Sequence, residues 1–282
     1  MIEKASLLSK VKKGAPSLVR KFSRLVSIIE ARSPSIVAFS GGVDSSLLAY
    51  VASTVDGKTV CMTASSETYT PAELQKAKEF AKEHGLRHII VKTRELDDPK
   101  FRSNPKDRCY HCKREMLAVL NERAKELRCN AILIGETASD ASDYRPGHRA
   151  VVEAGAAMPL AEADLTKDDV RELSMLFGLD TWDLPANACL ASRFAYGEKI
   201  TPDRLRAIAK AEQLLKDAGY KIVRVRAHGR TARVELGRDE EVDLASLRRI
   251  AKKIRALGFA YITLDLEGYR SGSMNETLGK KR

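Results

Sequence analysis

Short apolar runs alternate with helix-like stretches through the first two-thirds of the chain. The runs have the length of buried strands, and between them apolar residues recur at helical spacing, as Leu74, Ala77 and Ala81 do. This alternation predicts an α/β fold, in which a parallel sheet carries helices on both faces. The predicted strands are 35–39, 58–64, 87–92 and 131–135, and the predicted helices between them are 46–54, 71–84 and 112–127.

The pattern changes around residue 184. A helix at 201–216, a hairpin of strands 221–227 and 231–236, a helix at 244–257 and a strand at 260–266 predict a smaller α+β unit with a three-stranded sheet. In the hairpin, apolar residues alternate with Arg224, Arg226 and His228, so one sheet face is polar. Such a face is either solvated or a platform for anions. The predicted domains are 1–184 and 185–282.

Length and composition indicate a globular chain of two domains. The chain has 282 residues, of which 44% are hydrophobic and 31% charged. It contains no apolar run of the length that a membrane span needs. The first residues alternate lysines with short apolar pairs, which predicts an amphipathic helix and not a signal peptide. We therefore expect a soluble, cytoplasmic protein without a membrane partner.

The net charge of +11 is compatible with nucleic-acid binding or with a groove for small anions. Many basic residues lie on predicted helices beside acidic neighbours, and no basic run is interleaved with aromatic residues. Because charge alone reports only non-specific attraction, the sequence disfavours dedicated nucleic-acid binding.

The run SGGVDSS at residues 40–46 follows the first predicted strand directly. Its two glycines let backbone N–H groups approach a ligand, and the helix that follows adds further donors, so the turn suits a phosphate. It is not the lysine-containing GxxxxGK[ST] loop, because no lysine follows. It resembles the PP-loop of ATP pyrophosphatases, which cleave between the α- and β-phosphates and pass AMP to an acceptor. The candidate ligands are Ser40, Gly41, Gly42, Asp44, Ser45 and Ser46.

The five cysteines argue against a disulfide framework, because their number is odd. Cys109 and Cys112 form a single CxxC in a loop that runs into the predicted helix 112–127, and this motif is compatible with a redox pair, half a zinc site or part of an iron–sulfur site. Three cysteines can hold a [4Fe–4S] cluster with one iron open, and Cys189 is the natural third. Arg193, four residues on, would raise the thiolate fraction of Cys189.

Five motifs in order resemble the LarE family of PP-loop sulfur transferases, and the match covers about residues 15–278. The family helps to build the nickel-pincer nucleotide cofactor of lactate racemase. The resemblance implies that ATP adenylates a carboxylate of pyridinium-3,5-biscarboxylic acid mononucleotide, releasing pyrophosphate, and that sulfur then displaces AMP. The motifs are SGGVDSS, NPKDRCYHCK, GETASDASDYRPG, PANACLASRFAYGEKIT and LEGYRSGSMNE.

The resemblance also implies roles for residues. In some members the cysteine matched by Cys189 donates its own sulfur; others carry the additional CxxC and a [4Fe–4S] cluster with a labile sulfide. Cys109, Cys112 and Cys189 favour the second class. Asp44 is expected to be a catalytic carboxylate that orients Mg²⁺ or fixes the loop, and a homo-oligomer is expected. The predicted arginine roles are the substrate phosphate for Arg224, Arg226 and Arg270, and a carboxylate or AMP for Arg193.

Two other functions remain open from the sequence. One is a PP-loop tRNA thiolase, which the net charge would suit. The other is a non-catalytic nucleotide or iron–sulfur protein that delivers sulfur to a partner. The lack of a recognisable RNA-binding appendage and the run GYRSGSMNE favour the small-molecule transferase. The sequence does not identify the sulfur donor.

Overall fold

The computed structural model describes residues 4–142, 146–185 and 188–270. The chain folds into two compact units, and the smaller one takes two short stretches from the middle of the chain. Within the described residues, no helix is long and apolar enough to cross a membrane. The first unit comprises Met1–Ser66, Pro71–Glu95 and Cys109–Asn187, and the second comprises Glu67–Thr70, Leu96–Arg108 and Ala188–Arg282. The domain boundary after residue 184 stays a prediction.

Helices account for much of both units. Most begin at a proline or a capping side chain; α9, for example, starts behind Thr166, whose side chain accepts a hydrogen bond from the Asp169 N–H. The helices are α1 (Lys4–Gly14), α2 (Val19–Glu30), α3 (Val43–Asp56), α4 (Pro71–Glu83), α5 (Pro99–Arg102), α6 (Arg108–Glu126), α7 (Pro146–Glu153), α8 (Pro159–Glu162), α9 (Lys167–Phe177), α10 (Pro202–Lys216) and α11 (Leu244–Arg255).

The first unit contains a four-stranded sheet in which every pairing is parallel. Ile36 pairs with Ile132, and their face of the sheet packs against α6 and α7. The neighbouring Val37 faces the other way, toward α1, α2, α3 and α9. The predicted α/β fold is therefore confirmed. The strands are β1 (Ser35–Ala38), β2 (Val60–Ser65), β3 (His88–Lys92) and β4 (Ala131–Leu133), in the order β3-β2-β1-β4.

The start of α6 differs from the prediction. The helix begins at Arg108 and not at residue 112, so Cys109 and Cys112 lie inside it. The Arg108 N–H donates to the Pro105 carbonyl at 3.0 Å, so a turn at 105–108 leads directly into the helix. The predicted loop position of Cys109 is wrong, whereas Cys112 is helical as predicted. Since residues three apart share a helix face, the two thiols lie on the same side of α6.

The second unit contains the three-stranded sheet that the hairpin pattern predicts. Its strands are β5 (Val223–His228), β6 (Thr231–Leu236) and β7 (Tyr261–Leu264). β5 and β6 pair antiparallel. β6 and β7 pair parallel, and α11 connects them along the chain. β5 begins later than predicted because the N–H groups of Lys221 and Ile222 donate to Glu240 Oε1, at 2.7 and 2.6 Å, instead of joining the ladder.

Two stretches from mid-chain complete the second unit through hydrogen bonds. Asn104 is fully buried; its side-chain amide donates to the Ala195 carbonyl at 2.7 Å, and its own carbonyl accepts from the Gly197 N–H at 2.9 Å. The Leu190 N–H donates to the Thr68 carbonyl at 3.0 Å. These stretches therefore hold the chain that follows Cys189.

Candidate active site

The glycine turn connects β1 to α3 at the carboxyl edge of the first unit's sheet, where ligands of such sheets bind. Gly41 has a φ of 74°, a left-handed conformation that favours glycine. Gly42 precedes α3, and no side chain in the described part of the protein caps that helix. The first N–H groups of α3 and the positive end of its dipole therefore remain available to an anion.

Two serines hold the turn in shape. The hydroxyls of Ser40 and Ser45 lie 3.0 Å apart, and Ser45 Oγ donates to the Gly42 carbonyl at 3.1 Å. The backbone N–H of Ser40 donates to Ser45 Oγ at 3.2 Å. Ser46 is buried, and its hydroxyl has no hydrogen-bond partner among the described residues. The structure thus brings the predicted phosphate ligands together in one loop of the first unit.

Asp44, in the first turn of α3, forms an ion pair with Lys167, the first residue of α9. Its other oxygen, Oδ1, is buried and has no hydrogen-bond partner in the described part of the chain. Sequence reasoning missed Lys167. One signal was present in the sequence: Thr166 and Asp169 have the spacing of a capping box, which would mark Lys167 as the first residue of a helix, where a cation is unfavourable.

Glu136 lies just after β4, in the motif GETASDASDYRPG, called the GET motif below. Its two oxygens accept from Lys113 Nζ at 2.7 Å and from His148 Nδ1 at 2.8 Å. Burial alone raises the pKa of Glu136, but the charge of Lys113 and these hydrogen bonds outweigh it and lower the pKa. Lys113 follows Cys112 directly, so Glu136 ties the CxxC helix to the end of β4.

Cys109 is exposed and Cys112 is half-buried in the first turns of α6. Between them, Tyr110 packs on α7, where its hydroxyl donates to Glu153 at 2.7 Å and the Arg149 guanidinium lies 3.8 Å from its ring centre. No group of three or more His, Cys, Asp or Glu side chains that would hold a metal ion occurs among the residues described. Cys61, by contrast, is buried in β2, and burial raises its pKa to about 12.

Cys189 and Arg193 belong to the second unit, where Cys189 precedes a short 3-10 turn, Leu190–Arg193. Arg193 is buried and donates to Glu212 at 2.8 and 3.1 Å, and to the Cys189 carbonyl at 3.2 Å. Arg193 therefore fixes the backbone that carries Cys189. The carboxylate that it binds in this structure is the protein's own Glu212.

The predicted polar face of the β5–β6 hairpin is largely buried. Arg226 and Glu235 are both buried and form an ion pair at 3.0 Å, and Arg233 donates to the same carboxylate at 2.8 Å. Arg224 differs, because among the described residues it makes no ion pair and its guanidinium lies 5.1 Å from the Tyr269 ring centre. Burial and the charge of Arg193 lower the pKa of Arg224.

Arg270 is the last residue of the described C-terminal stretch. It pairs with Glu267 at 2.7 Å and approaches Asp265 at 3.8 Å. The rest of the LEGYRSGSMNE motif lies outside the described residues, as do Asp143–Arg145 of the GET motif and Ala186 and Asn187 of the motif around Cys189.

The parallel sheet, with the glycine turn between β1 and α3, defines an ATP-binding protein of the PP-loop class. A family model described as asparagine synthase matches residues 26–109. An uncharacterized protein of Synechocystis is 43% identical over 87% of this chain and 93% of its own length. Pyridinium-3,5-bisthiocarboxylic acid mononucleotide synthase of Lactiplantibacillus plantarum is 38% identical over 94% of this chain and 97% of its own length.

The chain belongs to the family of this synthase, the LarE family. More distant similarity extends to one subunit of the glutamine-hydrolysing GMP synthase of Thermoplasma acidophilum, which is 29% identical over 67% of this chain and 65% of its own length. The resemblance drawn from the five motifs is thereby confirmed.

Proposed function

We propose that this protein is an ATP-dependent sulfur transferase that converts the carboxylates of pyridinium-3,5-biscarboxylic acid mononucleotide into thiocarboxylates. The observation that carries the proposal is 38% identity with the Lactiplantibacillus synthase over nearly the whole of both chains. The PP-loop, with an uncapped helix behind it, fits the ATP-dependent half of that reaction.

The first step is adenylation. A carboxylate oxygen of the substrate attacks the α-phosphorus of ATP, the bond to the β-phosphate oxygen breaks, and pyrophosphate leaves. The N–H groups at the start of α3 stabilise the negative charge that develops on the leaving group. Mg²⁺, when bound, would add further charge there. Oδ1 of Asp44, which is buried and has no hydrogen-bond partner among the described residues, fits a hard cation that prefers oxygen ligands.

The second step is sulfur transfer, in which a sulfur nucleophile attacks the acyl carbon and AMP leaves with the electrons of the broken bond. A [4Fe–4S] cluster would supply a sulfide, and Cys109, Cys112 and Cys189 would hold it. Two thiols on one face of α6 suit such a cluster, whereas Cys61 is buried with its pKa raised to about 12 and is unsuited to it. In the alternative route, Cys189 donates its own sulfur.

Arg224 is the best candidate for the substrate phosphate. A half-buried guanidinium that makes no ion pair among the described residues favours an anion, whereas Arg193 and Arg226 already form ion pairs with Glu212 and Glu235. We further propose a cytoplasmic homo-oligomer. The cytoplasmic location is supported by five free cysteines, and the assembly rests on the family resemblance alone.

The test is product formation by anaerobically purified protein supplied with MgATP, sulfide and the pyridinium dicarboxylate mononucleotide. Mass spectrometry should show oxygen-for-sulfur exchange in the substrate, with AMP and pyrophosphate formed in equal amounts. Bulk tRNA replaces the mononucleotide in a parallel reaction. If only tRNA stimulates AMP formation and becomes thiolated, the enzyme is a tRNA thiolase and the proposal is overturned. Nucleotide binding without any turnover would leave a non-catalytic carrier.

A further inference from the structure

Tyr269 lies beyond the last strand, and its backbone is tied to the sheet of the second unit. A turn follows β7, in which the Gly268 N–H donates to the Asp265 carbonyl at 3.1 Å. The Tyr269 N–H then donates to the Leu236 carbonyl, at the end of β6, at 2.7 Å. Gly268 has a φ of 69°, and a Cβ there would lie 2.8 Å from the Leu236 carbonyl oxygen, so the turn requires glycine. The fold of the sheet therefore fixes where Tyr269 begins.

The ring of Tyr269 contacts Arg224 on the neighbouring strand β5. Leu236, which holds the Tyr269 backbone, pairs with Val223 in the β5–β6 ladder, so Arg224 is the next residue along β5. Its guanidinium lies over the Tyr269 ring, with Cζ 5.1 Å from the ring centre, which is within the range of a cation–π contact. Nη1 of Arg224 also donates to the Val223 carbonyl at 2.8 Å.

The charges around Arg224 do not hold its side chain in place. Burial lowers the pKa of Arg224, and so do the charges of Arg193 and Arg226, whereas the charge of Glu212 raises it. The Glu212 carboxylate is already engaged, because both of its oxygens accept from Arg193, at 2.8 and 3.1 Å. A long side chain without an ion-pair partner samples several rotamers, and a ligand must then order it on binding. The Tyr269 ring removes part of that freedom beforehand.

Stacking on a ring leaves the edge of the Arg224 guanidinium open. Its N–H donors lie in the plane of the group, and within the described stretches of the chain only Nη1 has an acceptor. An anion can therefore bind the remaining donors while the ring keeps its contact. Arg226 differs, because its donors are directed at the buried carboxylate of Glu235.

We propose that Tyr269 is a positioning residue, whose ring holds the Arg224 guanidinium in the orientation in which it meets the phosphate of the mononucleotide. Tyr269 acts through Arg224 and has no contact of its own with the phosphate. Because the arginine is ordered before the substrate arrives, less conformational entropy is lost on binding. The inference rests on the assignment of the substrate phosphate to Arg224 under the proposed function.

The experiment is a double-mutant cycle read by calorimetry. Tyr269→Leu should weaken mononucleotide binding about fivefold or more, and should leave binding of the dephosphorylated nucleoside within about twofold. Tyr269→Phe should restore most of the affinity, since it keeps the ring. In an Arg224→Ala background, Tyr269→Leu should cause no further loss. Tyr261→Leu is the matched control, because it replaces a tyrosine of the same sheet that is 67% exposed, and it should bind like the wild type.

Three binding results would overturn the inference. They are wild-type mononucleotide affinity in Tyr269→Leu, an equal loss for the nucleoside, and an undiminished loss when Arg224 is absent. A further measurement needs no ligand. The Nε–H signal of Arg224, identified in the NMR spectrum by its absence from Arg224→Ala, should be shifted upfield by the ring, and Tyr269→Leu should abolish that shift. An unchanged signal would contradict the contact. Wild-type protein that shows the shift but does not bind the mononucleotide would contradict the proposed function alone.

Discussion

At the scale of single residues, the arginines near Cys189 differ in what neutralises them. Arg193 and Arg226 are buried against carboxylates of the protein, and removing either leaves a buried charge without its partner. Arg224 makes no such pair within the described residues, and burial lowers its pKa. We therefore expect substitutions of Arg224 and of Arg226 to have different effects, although both residues lie on β5.

Arg224→Ala should weaken binding of the pyridinium mononucleotide and leave folding intact. Loss of a charge-assisted contact with phosphate costs about 1.5–3 kcal/mol, which corresponds to tenfold weaker binding or more. Calorimetric titration with the mononucleotide and with its dephosphorylated nucleoside measures the effect. The nucleoside should bind the variant and the wild type equally, and unchanged mononucleotide affinity would remove Arg224 from the site.

Arg226→Ala should lower the free energy of unfolding. Breaking a buried ion pair costs about 3–5 kcal/mol, and the lower end is expected because Arg233 still donates to Glu235 at 2.8 Å. Denaturant unfolding gives the value. Arg206→Ala is the control, since its pair with Asp203 is exposed and such pairs contribute about 1 kcal/mol at most. Equal stability of the two variants would contradict a buried structural role for Arg226.

At the scale of elements, the end of β4 packs directly on the start of α3. A Cβ on Gly135 would lie 3.0 Å from the Ser45 nitrogen and 3.2 Å from the Asp44 carbonyl carbon. Both contacts are with backbone, so relief requires the helix start to move. The glycine therefore helps to position the N–H groups that face the nucleotide.

Gly135→Ala should reduce ATP affinity as well as stability. Overpacking costs about 1–3 kcal/mol, and the displaced N–H groups would no longer fit the phosphates. Thermal unfolding and ATP titration measure the two effects. Gly85→Ala is the control, because it places an alanine at a φ of 63° with open space around it, far along the chain from the loop. It should lose stability without losing ATP affinity.

Sequence periodicity predicted the strands of both sheets to within about two residues and the alternation of the β5–β6 hairpin. It placed the PP-loop correctly between β1 and α3 because glycine turns have a local signature. It missed the helical position of Cys109, since a turn at Pro105 begins that helix early. The ion pair of Lys167 with Asp44 could not be predicted, because the two residues are 123 positions apart in sequence.

At the scale of the whole molecule, the cysteines that the two proposed sulfur routes use do not all belong to the same unit. Cys109 and Cys112 belong to the first unit and Cys189 to the second. A route through a cluster requires all three cysteines, whereas a sacrificial route requires Cys189 alone. The same substitutions therefore separate the two routes without further structural information.

If a cluster carries the sulfide, Cys109→Ala, Cys112→Ala and Cys189→Ala should each remove iron and sulfur transfer together, because two thiolates retain a cluster poorly. Wild-type protein should turn over repeatedly with sulfide, and its intact mass should not change. Iron analysis and mass spectrometry after turnover provide the measurement. Full activity of Cys109→Ala, with one transfer per chain and loss of hydrogen sulfide from Cys189, would establish the sacrificial route instead. Cys61→Ser is the control that should leave the iron content unchanged.

The second unit's dependence on Thr68 and on Asn104 has a consequence for how the protein is made. These residues leave the ribosome long before Leu190, Ala195 and Gly197, with which they hydrogen bond. The buried amide of Asn104 must therefore wait for most of the chain to be synthesised before it acquires its native partner. A fragment that starts at Ala188 would lack these bonds altogether, so the C-terminal unit is not an independently excisable module.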